Sequence, residues 1–479
     1  MAFDSLTFIL LFLPFAVLLY RVGTAASRPQ ILLALSFVFY LWGSPPGALV
    51  LAGSMAVEYA LLVRMRTAAT GRGKAGYLAA SLGFSLGILL YFKYANFLVQ
   101  EANRALMFLS FEPITWKNTI LLLGVSFITF HKISYAIDAY AGSGPLPGGF
   151  LAYANYLAFF PKLLQGPITP YRDLAPQLAA SRRAALDDVF RGIERFSLGL
   201  ATKTLLADTL GETADRVFAL DPATLTPAHA WLGALSYTFQ IYFDFAGYSH
   251  MAIGIGRMFG ISLPENFNRP YLSANFTEFW RRWHMTLSAW FKEHLYIPLG
   301  GNRRSTARTY LNLGTVFLLS GLWHGANWTF VLWGAYHGSL LVLDRTGVRK
   351  LTERLPRTVT VPLTFLLLVA GWVLFRSASA GAAFQYLAAM FRADDLFQTS
   401  DNVLLAELIS NRGVFVLALA GVLSFLPEQW TQAAGRRFLP PAEAAWTVMA
   451  RACAVGALLA LSFMDIAHTA FVPYIYLRF

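Results

Sequence analysis

Two histidines in tryptophan-rich segments are the residues of this chain best suited to proton transfer. His324 lies in Gly-Leu-Trp-His-Gly-Ala-Asn-Trp (321–328), between two strongly apolar stretches, and His284 lies in Trp-Arg-Arg-Trp-His-Met (280–285). An ionisable side chain at membrane depth costs a few kcal/mol to insert, which makes such a residue a functional-site candidate. Because imidazole titrates close to neutral pH, it suits a proton acceptor. We therefore expect both rings to face one cavity.

The segment around His284 mixes aromatic and basic residues more densely than other parts of the chain. In a continuous helix, residues spaced by three or four positions share a face. The side chains that this spacing groups together are Trp280, His284, Leu287 and Ser288. Tryptophan and arginine at a membrane boundary can equally form an aromatic belt with positive-inside charge. For each tryptophan and arginine of this segment, Trp283 included, the aromatic belt stays open as an alternative to a role in the site.

The segment around His324 predicts two closely packed helices. Asn327 and Trp328 follow His324 at helical spacing, and glycines at positions 321, 325 and 334 allow backbones to approach closely. One interpretation is a catalytic histidine with Asn327 and Trp328 beside it. The other is a packed helix pair in which His324 is hydrogen-bonded to a neighbour.

The elements that would hold these residues are apolar helices. Of the 479 residues, 56% are hydrophobic and 13% are charged, whereas soluble domains carry about 25% charged residues. The apolar runs predict an all-α polytopic membrane protein with about 10–12 transmembrane helices, organised as a single membrane-embedded domain over residues 1–479. Two further stretches, 150–168 and 285–300, are interrupted by prolines and paired glycines. Re-entrant or broken helices are tolerated only where protein or a water-filled cavity covers them, so we expect these stretches to line a central catalytic cavity.

The formal charge of +12 would suggest nucleic acid in a soluble protein. In this apolar context, lysine and arginine in cytoplasmic loops account for the charge, and nucleic-acid binding is disfavoured. The single cysteine excludes an intrachain disulfide and a multi-cysteine metal site. The histidines do not have zinc-site spacing either, since no cysteine or carboxylate cluster joins His324 and His337. We therefore expect no metal centre.

Short motifs distributed over almost the whole chain form a recognisable set. They are Phe39-Tyr40-Leu41-Trp42, Tyr91 to Phe97, Gly124 to Phe127, Ile133 to Asp138, Phe160-Pro161 with Gly166-Pro167, Tyr242 to Ser249, Glu265 to Asn268, the block 278–304, and Gly321 to Asn327. In this order they resemble the membrane-bound O-acyltransferase superfamily. The resemblance is strongest to its bacterial branch, the alginate O-acetyltransferase membrane subunit and the related enzymes that acetylate polysaccharide or peptidoglycan.

The resemblance implies that His324 is the catalytic histidine and that His284 is the second histidine of the same cavity. The candidate substrate-binding residues around them are Trp280, Trp283, Ser288, Asn327, Trp328, Arg303 and Arg304. Two departures leave the acceptor open. His250 stands where the alginate enzymes usually have aspartate, and the middle of the segment 160–167 differs from the alginate version.

The implied chemistry is acyl transfer from a thioester to a hydroxyl group. A neutral His324 would take the proton of the attacking hydroxyl and return it to the departing thiolate. The developing oxyanion needs donors, for which His284, Asn327, Trp328 and Ser288 are the candidates. Acetyl-CoA or a similar thioester is the expected cytoplasmic donor substrate, and no permanently bound cofactor is expected. Arg303 and Arg304 would attract the donor's phosphates, although charge that only sets topology explains them as well.

The expected location is the bacterial inner membrane, with a multi-pass chain surrounded by membrane lipid. The expected acceptor is an exported polysaccharide, reached through an extracytoplasmic partner protein of acetyltransferase or esterase type. One alternative is a transporter or flippase without acyl chemistry, because broken helices and buried polar residues also occur there. Another is a superfamily member that acylates a different acceptor, by D-alanyl transfer or by acylation of a lipid or a protein.

Overall fold

The computed structural model describes residues 1–142, 148–392, 405–427, 445–468 and 474–475. It is 77% helical, and its described residues contain no strand. The all-α prediction is therefore confirmed. The chain divides into two compact units: the first comprises residues 1–196 and 252–264, and the second comprises residues 197–251 and 265–478. Helices Leu186–Ala201 and Pro227–Met258 contribute residues to both.

The first unit begins with a π-helical turn, Thr7–Phe12, and contains a second one, Leu90–Tyr94. Its α-helices are Leu13–Val22, Arg28–Gly43, Pro45–Thr67, Gly71–Leu89, Ala95–Phe108, Val125–Ala141, Phe150–Ala158, Phe160–Leu163 and Tyr171–Ala180. A cluster of buried phenylalanine rings, with centroids about 5–6 Å apart, forms part of its core: Phe8, Phe12, Phe39 and Phe160.

An ion pair lies inside this first unit. The Lys132 Nζ is 3.4 Å from a carboxylate oxygen of Glu58, and both side chains are buried. Ser81 and Ser85 donate to the same carboxylate at 3.2 and 2.9 Å. Buried charges are tolerated where they are paired and hydrogen-bonded, and this carboxylate meets both conditions.

The second unit contains a 3-10 turn, Pro270–Leu272, and three π-helical segments, Thr202–Asp208, Lys292–Tyr296 and Asp344–Val348. Its α-helices are Thr209–Phe218, Phe276–Trp280, Met285–Phe291, Thr306–His324, Trp328–Leu343, Arg349–Thr352, Arg357–Arg376, Ala380–Ala389, Leu405–Leu408, Asn411–Phe425 and Ala445–His468. Its core is built from tryptophan rings, of which Trp283, Trp333 and Trp372 are fully buried.

Among the described residues, four helices are long and apolar enough to cross a membrane. They are Pro45–Thr67, Gly71–Phe108, Arg357–Arg376 and Trp446–His468. This is fewer than the 10–12 spans expected, because several apolar runs fold as helices shorter than 18 residues, Thr7–Val22 and Asn411–Phe425 among them. The predicted interruptions are present: one stretch divides at Phe159 into Phe150–Ala158 and Phe160–Leu163, and the other consists of Met285–Phe291 followed by a π-turn.

Candidate active site

His324 is the last residue of helix Thr306–His324, and its side chain is 4% exposed. Three aromatic rings meet its imidazole at steep angles, with centroid distances of 4.8, 4.9 and 5.2 Å: Trp323, Trp333 and Phe375. Edge-to-face contacts at these distances are favourable. They fix the plane of the imidazole and keep bulk water away from it.

Glycines bring the helix that ends at His324 against the next one. A Cβ atom on Gly321 would collide with the carbonyl oxygen of Phe330 and would lie 3.1 Å from the Cα of Gly334. A Cβ atom on Gly325 would overlap the Phe330 ring. The predicted close approach of two helices through these glycines is therefore confirmed.

The predicted helical spacing from His324 to Asn327 and Trp328 is wrong. The backbone is extended at Gly325 (φ −166°) and at Asn327 (φ −154°), so the helix stops at His324. Asn327 instead caps helix Trp328–Leu343: its Oδ1 accepts from the Thr329 nitrogen at 3.1 Å, and its Nδ2 donates to the Ala378 carbonyl at 3.2 Å. Trp328 is 53% exposed.

His284 interrupts the segment, so the continuous helix that would place Trp280 and His284 on one face does not form. Helix Phe276–Trp280 ends before it, and His284 has left-handed backbone angles (φ 42°, ψ 54°) at the start of helix Met285–Phe291. Its carbonyl accepts from the Ser288 nitrogen at 3.0 Å. A left-handed non-glycine residue is strained, and it persists only where the surrounding structure imposes it.

A neighbouring segment imposes this conformation through backbone pairing. The Met285 nitrogen donates to the Asn266 carbonyl at 2.9 Å, and the Asn268 nitrogen donates to the Arg282 carbonyl at 2.9 Å. The side chain of Asn266 adds a third link, because its Oδ1 lies 3.1 Å from the Nδ1 of His284. Asn266 was not among the predicted site residues, since nothing in the sequence indicates a partner 18 positions away.

The ring of Trp323 contacts both histidines. The His284 imidazole is 1% exposed, and its centroid lies 6.3 Å from that of Trp323, which in turn lies 4.8 Å from that of His324. On its other side, the His284 ring meets Phe245 at 87° and 4.6 Å. The two histidines predicted to act together therefore share one neighbour in the second unit. A cavity that both face remains a prediction.

The other predicted site residues have different surroundings. Trp280 packs against Trp333 and His337 at 5.7 and 5.2 Å, so it borders the rings around His324 and not those around His284. Trp283 is buried in the aromatic core, 4.8 Å from Trp372. Ser288 is half-buried on helix Met285–Phe291, and Arg303 and Arg304 are exposed.

One amide and two anionic side chains hold the short helix that carries Trp280. Asn275 caps its first turn by accepting from the Glu278 nitrogen at 2.8 Å. The Asp344 carboxylate accepts from the nitrogen and the hydroxyl of Thr277, at 2.8 and 3.0 Å. Glu278 forms ion pairs with Arg282 and Arg357, at 2.9 and 3.2 Å. Negative charge near a helix N-terminus is stabilising, which explains how a five-residue helix keeps its place.

A buried ion network lies on helix Pro227–Met258, and the sequence did not predict it. The Nζ of Lys203 lies 2.8 Å from Asp244 and 2.5 Å from Asp208. The second Asp244 oxygen accepts from the Ile475 nitrogen at 3.0 Å. Asp244 belongs to the motif Tyr242 to Ser249, so at this position the motif contains a residue that forms a buried ion pair within the protein.

Comparison with known proteins identifies the family of this chain. The family model described as membrane-bound O-acyltransferase matches residues 146–362, a range that includes both histidines. A probable alginate O-acetylase AlgI of Azotobacter vinelandii is 38% identical to this chain over the full length of both proteins. The chain belongs to the membrane-bound O-acyltransferase family.

Two further relatives support the same assignment. A probable alginate O-acetylase AlgI of Pseudomonas aeruginosa is 42% identical over 82% of this chain and 75% of the relative. A peptidoglycan O-acetyltransferase of Helicobacter pylori is 35% identical over 81% of this chain and 79% of the relative. This member of the membrane-bound O-acyltransferase family is an O-acyltransferase, and it is a membrane protein.

Proposed function

We propose that this O-acyltransferase moves an acetyl group from a cytoplasmic thioester such as acetyl-CoA across the membrane for O-acetylation of an exported or cell-surface polysaccharide. The full-length similarity to a probable alginate O-acetylase supports a polysaccharide acceptor. The observation that carries the proposal is the pair of buried imidazoles, His284 and His324, against the single indole of Trp323. On this proposal the protein is a multi-pass protein of the bacterial inner membrane.

In the proposed reaction, the oxygen of the acceptor hydroxyl attacks the carbonyl carbon of the thioester. The hydroxyl proton passes to the neutral imidazole of His324 as the new C–O bond forms. The C–S bond then breaks, and the same proton passes to the departing sulphur. The products are an acetate ester and a free thiol, and His324 is neutral again.

The carbonyl oxygen gains negative charge in this step and needs hydrogen-bond donors. Asn327 is disfavoured as such a donor, since its Oδ1 caps helix Trp328–Leu343 and its Nδ2 already donates to the Ala378 carbonyl. Ser288 remains a candidate, because its half-buried hydroxyl lies one helical turn after His284. Trp328 is a weaker one, since half of its surface faces outward.

The donor would approach from the cytoplasmic side. Arg303 and Arg304 follow the π-turn Lys292–Tyr296 in sequence and are exposed, so they are free to attract phosphate groups from solution. Such attraction raises the rate of encounter and weakens with salt. We propose this role for the pair.

There is a second candidate for the polymer that accepts the acetyl group. The Helicobacter pylori relative is named for peptidoglycan, so an acceptor in the cell wall is an alternative to an exopolysaccharide. On either proposal the hydroxyl that attacks the thioester belongs to the polymer itself, or to an extracytoplasmic partner protein of acetyltransferase or esterase type that then passes the acetyl group to the polymer. Family membership disfavours the transporter interpretation.

The catalytic role of His324 is tested with purified protein, acetyl-CoA, a polysaccharide acceptor and thiol detection. We expect His324→Ala to lose thiol release and acetyl transfer while it purifies in normal amounts. The matched control is His294→Ala, which removes a half-buried imidazole whose Nδ1 lies 3.3 Å from the Trp290 carbonyl. Transfer by His324→Ala close to that of the control would refute the catalytic role.

The acceptor is identified by mass spectrometry of surface glycans and peptidoglycan from cells with and without the gene. The proposal expects acetyl esters on one exported polysaccharide to disappear with the gene. Loss of acetyl esters from peptidoglycan alone would favour the second candidate. Unchanged acetylation of all polymers would contradict both.

A further inference from the structure

The side-chain amide of Asn266 is buried among hydrogen-bonding groups near His284. Its Oδ1 lies 3.3 Å from the backbone nitrogen of Thr286 and 2.9 Å from the Thr286 hydroxyl. Its Nδ2 lies 3.3 Å from the hydroxyl of Ser249. A backbone N–H group can only donate, so the amide atom that faces Thr286 must be the oxygen. This contact fixes the orientation of the amide.

The orientation of the amide determines which nitrogen of His284 carries the proton. The His284 Nδ1 lies 3.1 Å from the same Asn266 oxygen. A carbonyl oxygen has no proton to give, so Nδ1 must donate. In a neutral imidazole the other nitrogen, Nε2, then has a lone pair and acts as an acceptor. A neutral His284 in this tautomer has no proton to offer a developing oxyanion.

We propose that Asn266 is a positioning residue that holds His284 in the Nδ1–H tautomer, so that Nε2 accepts a hydrogen bond from the bound substrate. This inference rests on the proposed function for the nature of the substrate. The group that donates to Nε2 is an O–H of the acceptor or an amide N–H of the thioester donor. Because Nε2 accepts in this tautomer, His284 is not an oxyanion donor, and its role is distinct from that of His324.

The left-handed backbone of His284 agrees with such positioning. Asn266 binds the segment through its backbone carbonyl as well, which accepts from the Met285 nitrogen at 2.9 Å. One residue therefore sets both the backbone and the ring of His284. The edge-to-face contact with Phe245, at 4.6 Å, limits rotation of the imidazole further.

The first test does not depend on activity. Nitrogen-15 NMR of the purified full-length protein labelled at histidine reports which imidazole nitrogen is protonated, and the His284 signals are assigned by their loss in His284→Gln. We expect Nδ1 to be protonated in the wild-type protein and the two tautomers to mix in Asn266→Ala. A protonated Nε2 with a bare Nδ1 in the wild-type protein would overturn the inference, even if acyl transfer itself is observed.

The second test uses the pH dependence of acyl transfer in Asn266→Asp. A carboxylate beside Nδ1 stabilises the imidazolium, whose Nε2 no longer accepts. The acid limb of the rate profile should therefore move to higher pH, by about one pH unit or more. The control is Asn268→Asp, the same change at an exposed position two residues away, which should leave the profile unchanged. Superimposable profiles for both variants would contradict the proposed role.

Other ionisable groups near His284 are the same in both variants. Around helix Pro227–Met258 they are Asp244 with its partner Lys203 and the half-buried His250. Glu265 and Arg269 lie beside Asn266 in sequence, and Arg282 lies on the segment of His284 itself. His324 lies on the helix that carries Trp323. The comparison of Asn266→Asp with Asn268→Asp therefore isolates the new carboxylate. A rise in KM for the acceptor alone, or for acetyl-CoA alone, identifies which substrate donates to Nε2. Failure of the wild-type protein to transfer acetyl groups would refute the proposed function but leave the NMR result decisive for the tautomer.

Discussion

The imidazole of His324 and the indole of Trp333 meet at 82°, with their ring centroids 4.9 Å apart. Trp333 lies on helix Trp328–Leu343, after the extended break that follows His324. The same indole contacts His337 at 4.8 Å and Phe375 at 5.4 Å. The orientation of His324 therefore depends on a residue of the next helix, and the break between the two helices serves to bring that residue into contact.

Replacement of Trp333 by alanine should affect both stability and activity. We expect a loss of about 3–5 kcal/mol of unfolding free energy, because a fully buried indole is removed, and a fall in kcat, because His324 loses one of the rings that orient it. Thermal or denaturant unfolding in detergent and thiol-release kinetics measure the two effects. Trp446→Ala is the control, since Trp446 is 58% exposed and its loss should change neither quantity. Wild-type kcat in a folded Trp333→Ala protein would contradict the orienting role.

Gly325 and Gly314 offer a matched pair of alanine substitutions. A Cβ atom at position 325 would overlap the Phe330 ring, whereas one at position 314 meets no atom within 4 Å. We expect Gly325→Ala to lower the midpoint of thermal unfolding and the acyl-transfer rate together. Gly314→Ala lies inside helix Thr306–His324 and should be neutral or stabilising by up to about 1 kcal/mol. Equal stability of the two variants would refute the close packing described here.

The buried network of Lys203 should contribute far more to the free energy of unfolding than a surface ion pair does. Lys203→Met leaves the carboxylate of Asp244 inside the protein without its cation, and removal of one member of a buried pair costs about 3–5 kcal/mol. Glu353→Gln breaks an exposed pair with Arg349, which should cost less than about 1 kcal/mol. Denaturant unfolding of the two variants measures the difference. Similar small losses in both would show that the Lys203 network contributes little.

Neutralisation of Arg303 and Arg304 should weaken donor capture. We expect the double variant Arg303→Gln, Arg304→Gln to raise KM for acetyl-CoA at low ionic strength, with kcat nearly unchanged, because the long-range attraction of the donor is reduced. Salt should reduce the difference from the wild-type protein. If KM and its salt dependence are those of the wild-type protein, the two arginines serve membrane topology only.

Short-range signals in the sequence predict several features of the site correctly. The glycines at positions 321, 325 and 334 predict the close helix pair around His324, and prolines predict the interruption of the stretch 150–168. The cap at Asn327 was predictable as well, because an asparagine followed by an apolar helical run is a common helix start. Helical spacing alone places Asn327 and Trp328 on the helix of His324, and that register is wrong because a new helix begins at this cap.

Long-range contacts explain what the sequence could not predict. The left-handed turn at His284 results from pairing with the segment of Asn266, and an aromatic-basic segment considered alone favours a helix. The partnership of Lys203 and Asp244 joins residues 41 positions apart, inside runs that read as uniformly apolar. Hydrophobic periodicity indicates which face of a helix is buried, but it does not identify the residues that contact that face.

The position of His324 at the end of a 19-residue helix has an electrostatic consequence. The last carbonyl groups of a helix lack partners within it and give that end a partial negative charge. A ring held there experiences a field that favours positive charge, worth up to about 2 kcal/mol in partly buried settings. The aligned peptide dipoles of this helix would thus help to compensate the imidazolium that forms when His324 takes the proton of the acceptor alcohol.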